Sequence, residues 1–212
     1  MRTSWIDVED WIAALAARDK STCTHGARVG QLASLLAERA GLAPATCLQI
    51  ESAGALHDLG KMAIPDAILN KPGTLTSDEM SIMATHSELG SSLLRRIPQL
   101  EPIAVMIHWH HERFDGGGYP DGIAGHQIPF EVRIITVCDA WDAMTHDRPY
   151  RSALSPVVAR AVLAAGAGTQ WCPHSVELLL SELGIDASDA AINEDLVHHN
   201  LPDLQTTLTG TS

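Results

Sequence analysis

Apolar residues recur every three or four positions along most of the chain, which is the period of amphipathic α-helices. The first helix is predicted over residues 4–18, where Trp5 and Trp11 share the apolar face. The second is predicted from Thr22 to Ala40. The same period predicts further helices over residues 44–56, 76–96, 101–111, 129–145 and 173–183, and one that begins at residue 155. The pattern indicates an all-α fold.

Two polar segments depart from this pattern. Residues 114–128 are rich in glycine and have no helical period, which is typical of a long loop that carries function. After Arg160 the chain has no lysine or arginine while acidic residues continue, so we expect residues 185–212 to form an acidic helical extension with a disordered end. The predicted organisation is one domain over residues 1–184, made of the helix 4–18 and a core 18–184, followed by that extension.

Composition excludes several classes of protein. The 212 residues carry a net charge of −12, which argues against binding to duplex nucleic acid, because basic residues must neutralise the phosphates. No apolar run reaches the roughly 18 residues of a membrane span. The four cysteines form no CxxC pair, which favours reduced thiols and a cytoplasmic protein. A homodimer contact or a partner helix would explain the apolar face of the first predicted helix.

Imidazole and carboxylate side chains recur at the ends or on the faces of apolar helices. They are His25, His57-Asp58, His86, His110-His111 and Asp139. A single such histidine is more often a core residue with a hydrogen-bond partner than a metal ligand. Here five helices each deliver an imidazole or a carboxylate, and these helices have too few basic residues to pair with all of them. A metal centre inside a helical bundle explains the pattern. An adjacent pair such as His57-Asp58 would suit a two-metal site in which Asp58 bridges the ions.

The order and spacing of these residues resemble the HD-GYP subfamily of the HD phosphohydrolase superfamily. The motifs that carry the resemblance are His57-Asp58-Leu59-Gly60-Lys61, Ile64-Pro65, His86, His110-His111-Glu112-Arg113, Asp115-Gly116, Gly118-Tyr119-Pro120, Ile128-Pro129, Asp139 and Arg148-Pro149-Tyr150-Arg151. They cover about residues 18–180. A lone HD pair is a weak signal, whereas HD, HHE and GYP in this order and spacing are specific.

The resemblance implies an all-α HD-type bundle that hydrolyses cyclic di-GMP to pGpG, or onward to GMP, by attack of a metal-bridging hydroxide on phosphorus. The implied metal ligands are His57, Asp58, His86, His110, His111 and Asp139, with His25 as a ligand or a close neighbour. The implied cofactors are two divalent ions, iron or manganese first, with zinc, magnesium, nickel or cobalt as alternatives. Some members hold a third ion through a glutamate, but the matching residue here is Ser21, so we expect two ions.

The resemblance also implies roles in catalysis and substrate binding. The implied catalytic residues are His57, Asp58 and Lys61. The implied substrate-binding residues are Lys61, Asp115, Gly118, Tyr119, Arg148 and Arg151, of which the arginines can grip a phosphate bidentately. Asp142, one turn after Asp139, is expected to orient a ligand, unless it is a helix-surface acid. In this subfamily the Gly118-Tyr119-Pro120 loop is also linked to contacts with GGDEF-type domains.

Two alternatives stay open beside the cyclic di-GMP phosphodiesterase. One is an HD-type hydrolase of another nucleotide or another cyclic dinucleotide. The other is a non-catalytic module that binds cyclic di-GMP or a partner protein. Every implied core ligand is present in the sequence, which favours an active enzyme.

Overall fold

The structure is a computed structural model that describes residues 8–147 and 152–184. These residues contain no β-strand, so the all-α prediction is confirmed. The α-helices are α1 (Val8–Arg18), α2 (Lys20–Arg39), α3 (Pro44–Leu56), α4 (Asp66–Leu69), α5 (Ser77–Ala84), α6 (His86–Leu94), α7 (Glu101–Trp109), α8 (Phe130–Thr145), α9 (Pro156–Gly166) and α10 (Pro173–Glu182). Short 3₁₀ helices lie at Leu59–Ala63, Pro98–Leu100 and Gly125–Gln127.

The core lies where α2 packs along α3 and α8, and where α7 packs against α3 and α6. Its centre is aliphatic, with Val29, Ile50, Leu56, Ile107 and Ile134 fully buried. Burial of such side chains is the main stabilising contribution, at roughly 1.5–3 kcal/mol for each. The same helices carry the polar residues singled out in the sequence, so these polar groups lie inside the bundle.

The segment predicted as one helix over residues 76–96 is two helices, and that prediction was wrong. A capping box formed by Thr76 and Glu79 begins α5. However, the side chains of Thr85, His86 and Ser87 bond the carbonyl oxygens three residues earlier, at 2.7, 2.8 and 3.2 Å. Side-chain bonds of this kind compete with regular helical bonding. The break makes His86 the first residue of α6.

A close contact at Gly60 joins the turn after α3 to the start of α6. A Cβ atom at Gly60 would lie 1.8 Å from the carbonyl oxygen of His86 and 2.7 Å from the nitrogen of Gly90. Only glycine permits this approach of two backbones. The contact brings the His57-Asp58 pair next to His86.

Smaller differences concern helix ends. Helix α2 begins at Lys20, before the predicted Thr22, because the carboxylate of Asp19 accepts hydrogen bonds from the backbone nitrogens of Ser21 and Thr22. Residues 1–7, with Trp5, and the acidic extension 185–212 lie outside the described residues. None of the described helices is both long and apolar enough to cross a membrane.

Candidate metal centre

Five of the helices deliver the predicted imidazole and carboxylate groups to one place in the bundle. His25 comes from α2, the His57-Asp58 pair follows α3, His86 opens α6, His110-His111 follows α7, and Asp139 lies in α8. His57, Asp58, His86, His110 and Asp139 are buried. The structure therefore brings together all seven residues predicted as ligands.

Hydrogen bonds to the main chain orient three of the imidazoles. The Nδ1 atoms of His57, His86 and His110 lie 2.7, 2.8 and 2.6 Å from the carbonyl oxygens of Gly54, Met83 and Ile107, three residues earlier in each case. A carbonyl oxygen only accepts, so each Nδ1 carries the proton. In the neutral ring each Nε2 then has a free lone pair, which is the form that binds a metal ion.

The candidate ligand atoms form two groups that share Asp58. The His86 group consists of Asp58, His86, His110 and His111, and its ligand atoms lie within 4.8 Å of one another. The His25 group consists of His25, His57 and Asp58 and meets the same limit. The two oxygens of Asp58 point different ways: Oδ1 lies 3.5 Å from His86 Nε2, and Oδ2 lies 3.4 Å from His57 Nε2.

Side chains hold the His25 end of the cluster. Nδ1 of His25 lies 2.6 Å from Oδ2 of Asp142, and its Nε2 lies 3.0 Å from Oδ1 of Asp139. Asp139 Oδ1 is also 3.8 Å from Nε2 of His57. Arg28 donates two hydrogen bonds to the Asp142 carboxylate, at 2.6 and 2.7 Å. Asp142 therefore holds His25 in this position and is buried rather than on the helix surface.

The electrostatics of the two groups differ. Burial lowers the pKa of His86 to about 4 and that of His110 to about 3, so both rings are neutral near pH 7. Burial also disfavours the charged form of His57, but the neighbouring carboxylate of Asp58 outweighs it and raises the pKa to about 9. The field at His57 thus favours a positive charge, which a proton or a metal ion can supply.

The donor set fits divalent metal ions. His86 Nε2 and His110 Nε2 lie 3.3 Å apart, although both carry lone pairs and neither has a proton to share. Opposed lone pairs at this distance are satisfied by a cation that both can bind. Imidazole nitrogens mixed with carboxylate oxygens suit iron, manganese and zinc. The cluster therefore offers divalent ions two groups of ligand atoms that share one carboxylate.

Two further predicted residues border the cluster. The Nζ atom of the buried Lys61 lies 3.0 Å from Oδ2 of Asp58. The Tyr119 ring lies 4.8 Å from that of His111, and no described residue hydrogen-bonds its buried hydroxyl. Gly118 makes this position of Tyr119 attainable, because a Cβ atom there would lie 2.5 Å from the carbonyl oxygen of His111.

A cavity of about 220 Å³ opens beside the cluster. His110, His111, Asp139 and Tyr119 line one part of it. Other lining residues come from the start of the glycine-rich loop, from α8, and from the turn between α9 and α10, and include Arg113, Thr136, Gln170 and Trp171. A small ligand could therefore contact the candidate metal ligands and the α9–α10 turn at once.

Other predicted site residues lie elsewhere. The Asp115 carboxylate accepts two hydrogen bonds from Arg113, at 3.0 and 2.5 Å, and one from the Gly117 nitrogen at 2.9 Å, so it shapes its own loop. Its predicted role in substrate binding stays a prediction. Arg148 and Arg151 lie outside the described residues.

Three residues at the site were not found from the sequence. Arg28 lies one turn after His25, and this spacing was a signal that could have linked it to the cluster. Thr136 donates a hydrogen bond to the carbonyl oxygen of His110 at 3.0 Å, and Gln170 reaches the cavity from a distant segment. No local pattern distinguishes Thr136 or Gln170 from ordinary polar residues.

Comparison with known proteins agrees with this geometry. A family model described as HD domain matches residues 11–175. The chain is 43% identical over 169 residues to the cyclic di-GMP phosphodiesterase response regulator RpfG of Xanthomonas campestris pv. campestris, covering 79% of this chain and 45% of that protein. It is 38% identical over 169 residues to the 3'3'-cGAMP-specific phosphodiesterase 2 of Vibrio cholerae, covering 79% of this chain and 32% of that protein.

Solved structures show the same fold at low sequence identity. One is Bd1817, an HDG"Y"P protein from Bdellovibrio bacteriovorus, with a TM-score of 0.62 and 18% identity over 82% of this chain and 56% of that chain. The chain spans less than half the length of the two curated relatives, at 45% and 32%. The match over residues 11–175, together with the HD pair at the centre of the ligand cluster, shows that the chain belongs to the HD domain family.

Proposed function

We propose that this protein is a metal-dependent phosphodiesterase that hydrolyses cyclic di-GMP to pGpG, and onward to GMP. The observation that carries the proposal is the pair of ligand groups that share Asp58 and border a cavity. The name of the 43% identical relative supports cyclic di-GMP as the substrate. A second candidate substrate is 3'3'-cGAMP, because the name of the 38% identical relative specifies it.

In this proposal the ligands of two divalent ions, iron or manganese, are His57, Asp58, His86, His110, His111 and Asp139, with His25 beside Asp139. Such ions act as Lewis acids toward phosphate and lower the pKa of water enough for it to react near neutral pH. Asp58 belongs to both ligand groups, so it couples their positions. The main-chain bonds to His57, His86 and His110 hold these rings in place before substrate binds.

The residues around the cluster bind and orient the phosphate. The Lys61 ammonium, 3.0 Å from Asp58, places a buried positive charge next to the ligands, where it stabilises negative charge on phosphate oxygens. Burial raises the pKa of the Tyr119 hydroxyl well above its usual value, so the group keeps its proton and donates a hydrogen bond. Arg148 and Arg151 are proposed to grip a second phosphate.

The proposal also includes contacts with other proteins. The Gly118-Tyr119-Pro120 loop is at the edge of the cavity, where a GGDEF-type domain would reach it. The apolar face of α1 packs against the core, because Val8, Trp11 and Ile12 contact it and Leu15 is buried, so a homodimer contact would involve other residues. Neither contact is required for the chemistry proposed for the site.

The test is to incubate the purified protein with Mn²⁺ or Fe²⁺ and with cyclic di-GMP or 3'3'-cGAMP, and to follow the products by chromatography. A His57→Ala/Asp58→Ala variant serves as the control, because it removes Asp58 from both ligand groups and His57 from one of them. We expect pGpG from the wild type only. Binding of cyclic di-GMP without turnover in either metal would contradict the proposal and favour the binding module.

A further inference from the structure

Gln170 lines the cavity, and no hydrogen bond joins its side-chain amide to another described residue. Gln170 is only 8% exposed. Its amide atoms are not among the fully buried, unpaired polar atoms of the described residues, so the amide opens onto the cavity. The cavity is the place where this amide can find a partner.

The backbone around Gln170 is held firmly. Its nitrogen donates to the carbonyl oxygen of Gly166 at 2.9 Å, and its carbonyl oxygen accepts from the nitrogen of Phe114 at 3.2 Å. The nitrogen of Asp115 donates to the carbonyl oxygen of Thr169 at 2.8 Å. These bonds tie the α9–α10 turn to the start of the glycine-rich loop. The free amide is thus presented from a rigid support.

Two of the neighbouring polar groups of the cavity wall already have partners within the protein. The Thr136 hydroxyl lies 3.0 and 2.9 Å from the carbonyl oxygens of His110 and Val132, and the Arg113 guanidinium bonds the Asp115 carboxylate. Trp171, beside Gln170, is 3% exposed and provides apolar surface. This part of the cavity therefore combines an apolar wall with the Gln170 amide and with Oε2 of Glu112, which has no hydrogen-bond partner among the described residues.

The size of the cavity limits what it can hold. Its volume of about 220 Å³ is below the roughly 300–1,000 Å³ of sites that enclose a whole small-molecule ligand. A cyclic dinucleotide would thus place only one base inside, while its phosphate reaches the candidate metal ligands that line the same cavity. A carboxamide offers a donor and an acceptor side by side, which matches the edge of a purine.

We propose that Gln170 hydrogen-bonds the edge of one purine base of the bound cyclic dinucleotide and so contributes to substrate specificity. The inference rests on the proposed phosphodiesterase function and deepens it. Gln170 acts in binding and not in the chemical step, because it contacts the base and not the phosphate. Its contribution is made equally in the ground state and in the transition state, so it affects KM more than kcat.

The test compares Gln170→Leu with wild type on cyclic di-GMP and on bis(4-nitrophenyl) phosphate, a phosphodiester without bases. The ratio of kcat/KM for cyclic di-GMP to kcat/KM for the simple diester is expected to fall about tenfold, the effect of one lost hydrogen bond to a buried group. The fall should appear as a higher KM. Gln31→Leu, the same substitution at an exposed position of α2, is the control and should leave both activities at the wild-type level.

A second experiment uses only the wild-type protein and therefore tests the proposal even if Gln170→Leu folds poorly. A cyclic dinucleotide of unsubstituted purines, which lacks the exocyclic oxygen and amino groups, should show about tenfold lower kcat/KM than cyclic di-GMP. An unchanged ratio for Gln170→Leu, a parallel loss on both diesters, or equal rates for the two cyclic dinucleotides in the wild type would overturn the assignment of Gln170 alone. Failure of the wild type to cleave any cyclic dinucleotide would overturn the proposed function, and this inference with it.

Discussion

The two ligand groups that meet at Asp58 differ in how one member is held: side chains orient His25, whereas main-chain carbonyl oxygens orient His57, His86 and His110. In the His86 group, His86 and His110 are oriented by carbonyl oxygens of the main chain, at 2.8 and 2.6 Å. In the His25 group, His25 is oriented by the side chain of Asp142, which is itself held by Arg28. The side chain of Arg28 is 36% exposed, whereas that of His86 is fully buried.

The difference predicts which group a substitution can alter. A main-chain carbonyl cannot be removed by changing a side chain, so the orientation of His86 persists as long as its helix forms. The orientation of His25 depends on two replaceable side chains, the buried Asp142 and the partly exposed Arg28. The His25 group should therefore be the adjustable part of the centre, and the His86 group the constant part.

The largest effect on bound metal is expected for Asp58, which belongs to both ligand groups. Asp58→Asn removes the carboxylate charge from both groups and should reduce bound metal from two ions per chain to near zero, with loss of activity. His25→Ala should leave about one ion bound, because the His86 group remains complete. Metal per chain is measured by mass spectrometry after dialysis, and two retained ions in Asp58→Asn would refute a shared ligand.

A large effect on stability is expected at Gly60, which supports the His86 group. Gly60→Ala places a Cβ atom against the carbonyl oxygen of His86, and backbone cannot move aside as a side chain can. We expect a loss of about 3 kcal/mol in the free energy of unfolding, measured in urea. Gly41→Ala is the control: its φ is +77° but no atom lies within 4 Å, so it should cost only about 1 kcal/mol. Equal losses would show that the contact at Gly60 is easily relieved.

Asp142→Asn should weaken the His25 group without affecting the His86 group. The amide keeps the shape of the side chain but loses the negative charge that orients His25 and pairs with Arg28. We expect affinity for one of the two ions to fall about 10- to 100-fold, measured by competition with a chelator. The exposed Asp78→Asn is the matched control and should bind both ions as the wild type does. A comparable loss for both ions would mean that the two groups are not independent.

The smallest effect is expected for Arg28→Leu. Asp142 and its contact with His25 remain, but the carboxylate loses the two hydrogen bonds that hold it. We expect the same ion to bind only about threefold to tenfold more weakly, because Arg28 is partly exposed and its contribution is screened by water. A larger loss than in Asp142→Asn would assign Arg28 a direct role at the site.

The candidate ligands could be predicted from the sequence because each of them is a polar residue beside an apolar helical segment. His57-Asp58, His86 and His110-His111 follow apolar helical segments, where polar residues must be satisfied. The helical bundle could also be predicted, because apolar residues recur with a helical period in most segments. The break at Thr85 could not be predicted. It depends on hydrogen bonds from side chains to the preceding turn, whereas the apolar pattern of this segment is that of one continuous helix.

The amino-acid sequence alone determined the helical class, the family and the set of residues from which a metal centre can be built. These follow from local periodicity and from motif order, which need no knowledge of distant contacts. Only the tertiary structure decided that Asp58 belongs to both ligand groups, that Arg28 holds Asp142, and that Gln170 reaches the same cavity as His110. These relations join residues as many as 114 positions apart, as Arg28 and Asp142 are. They arise from the packing of helices against one another, and a local sequence pattern cannot predict that packing.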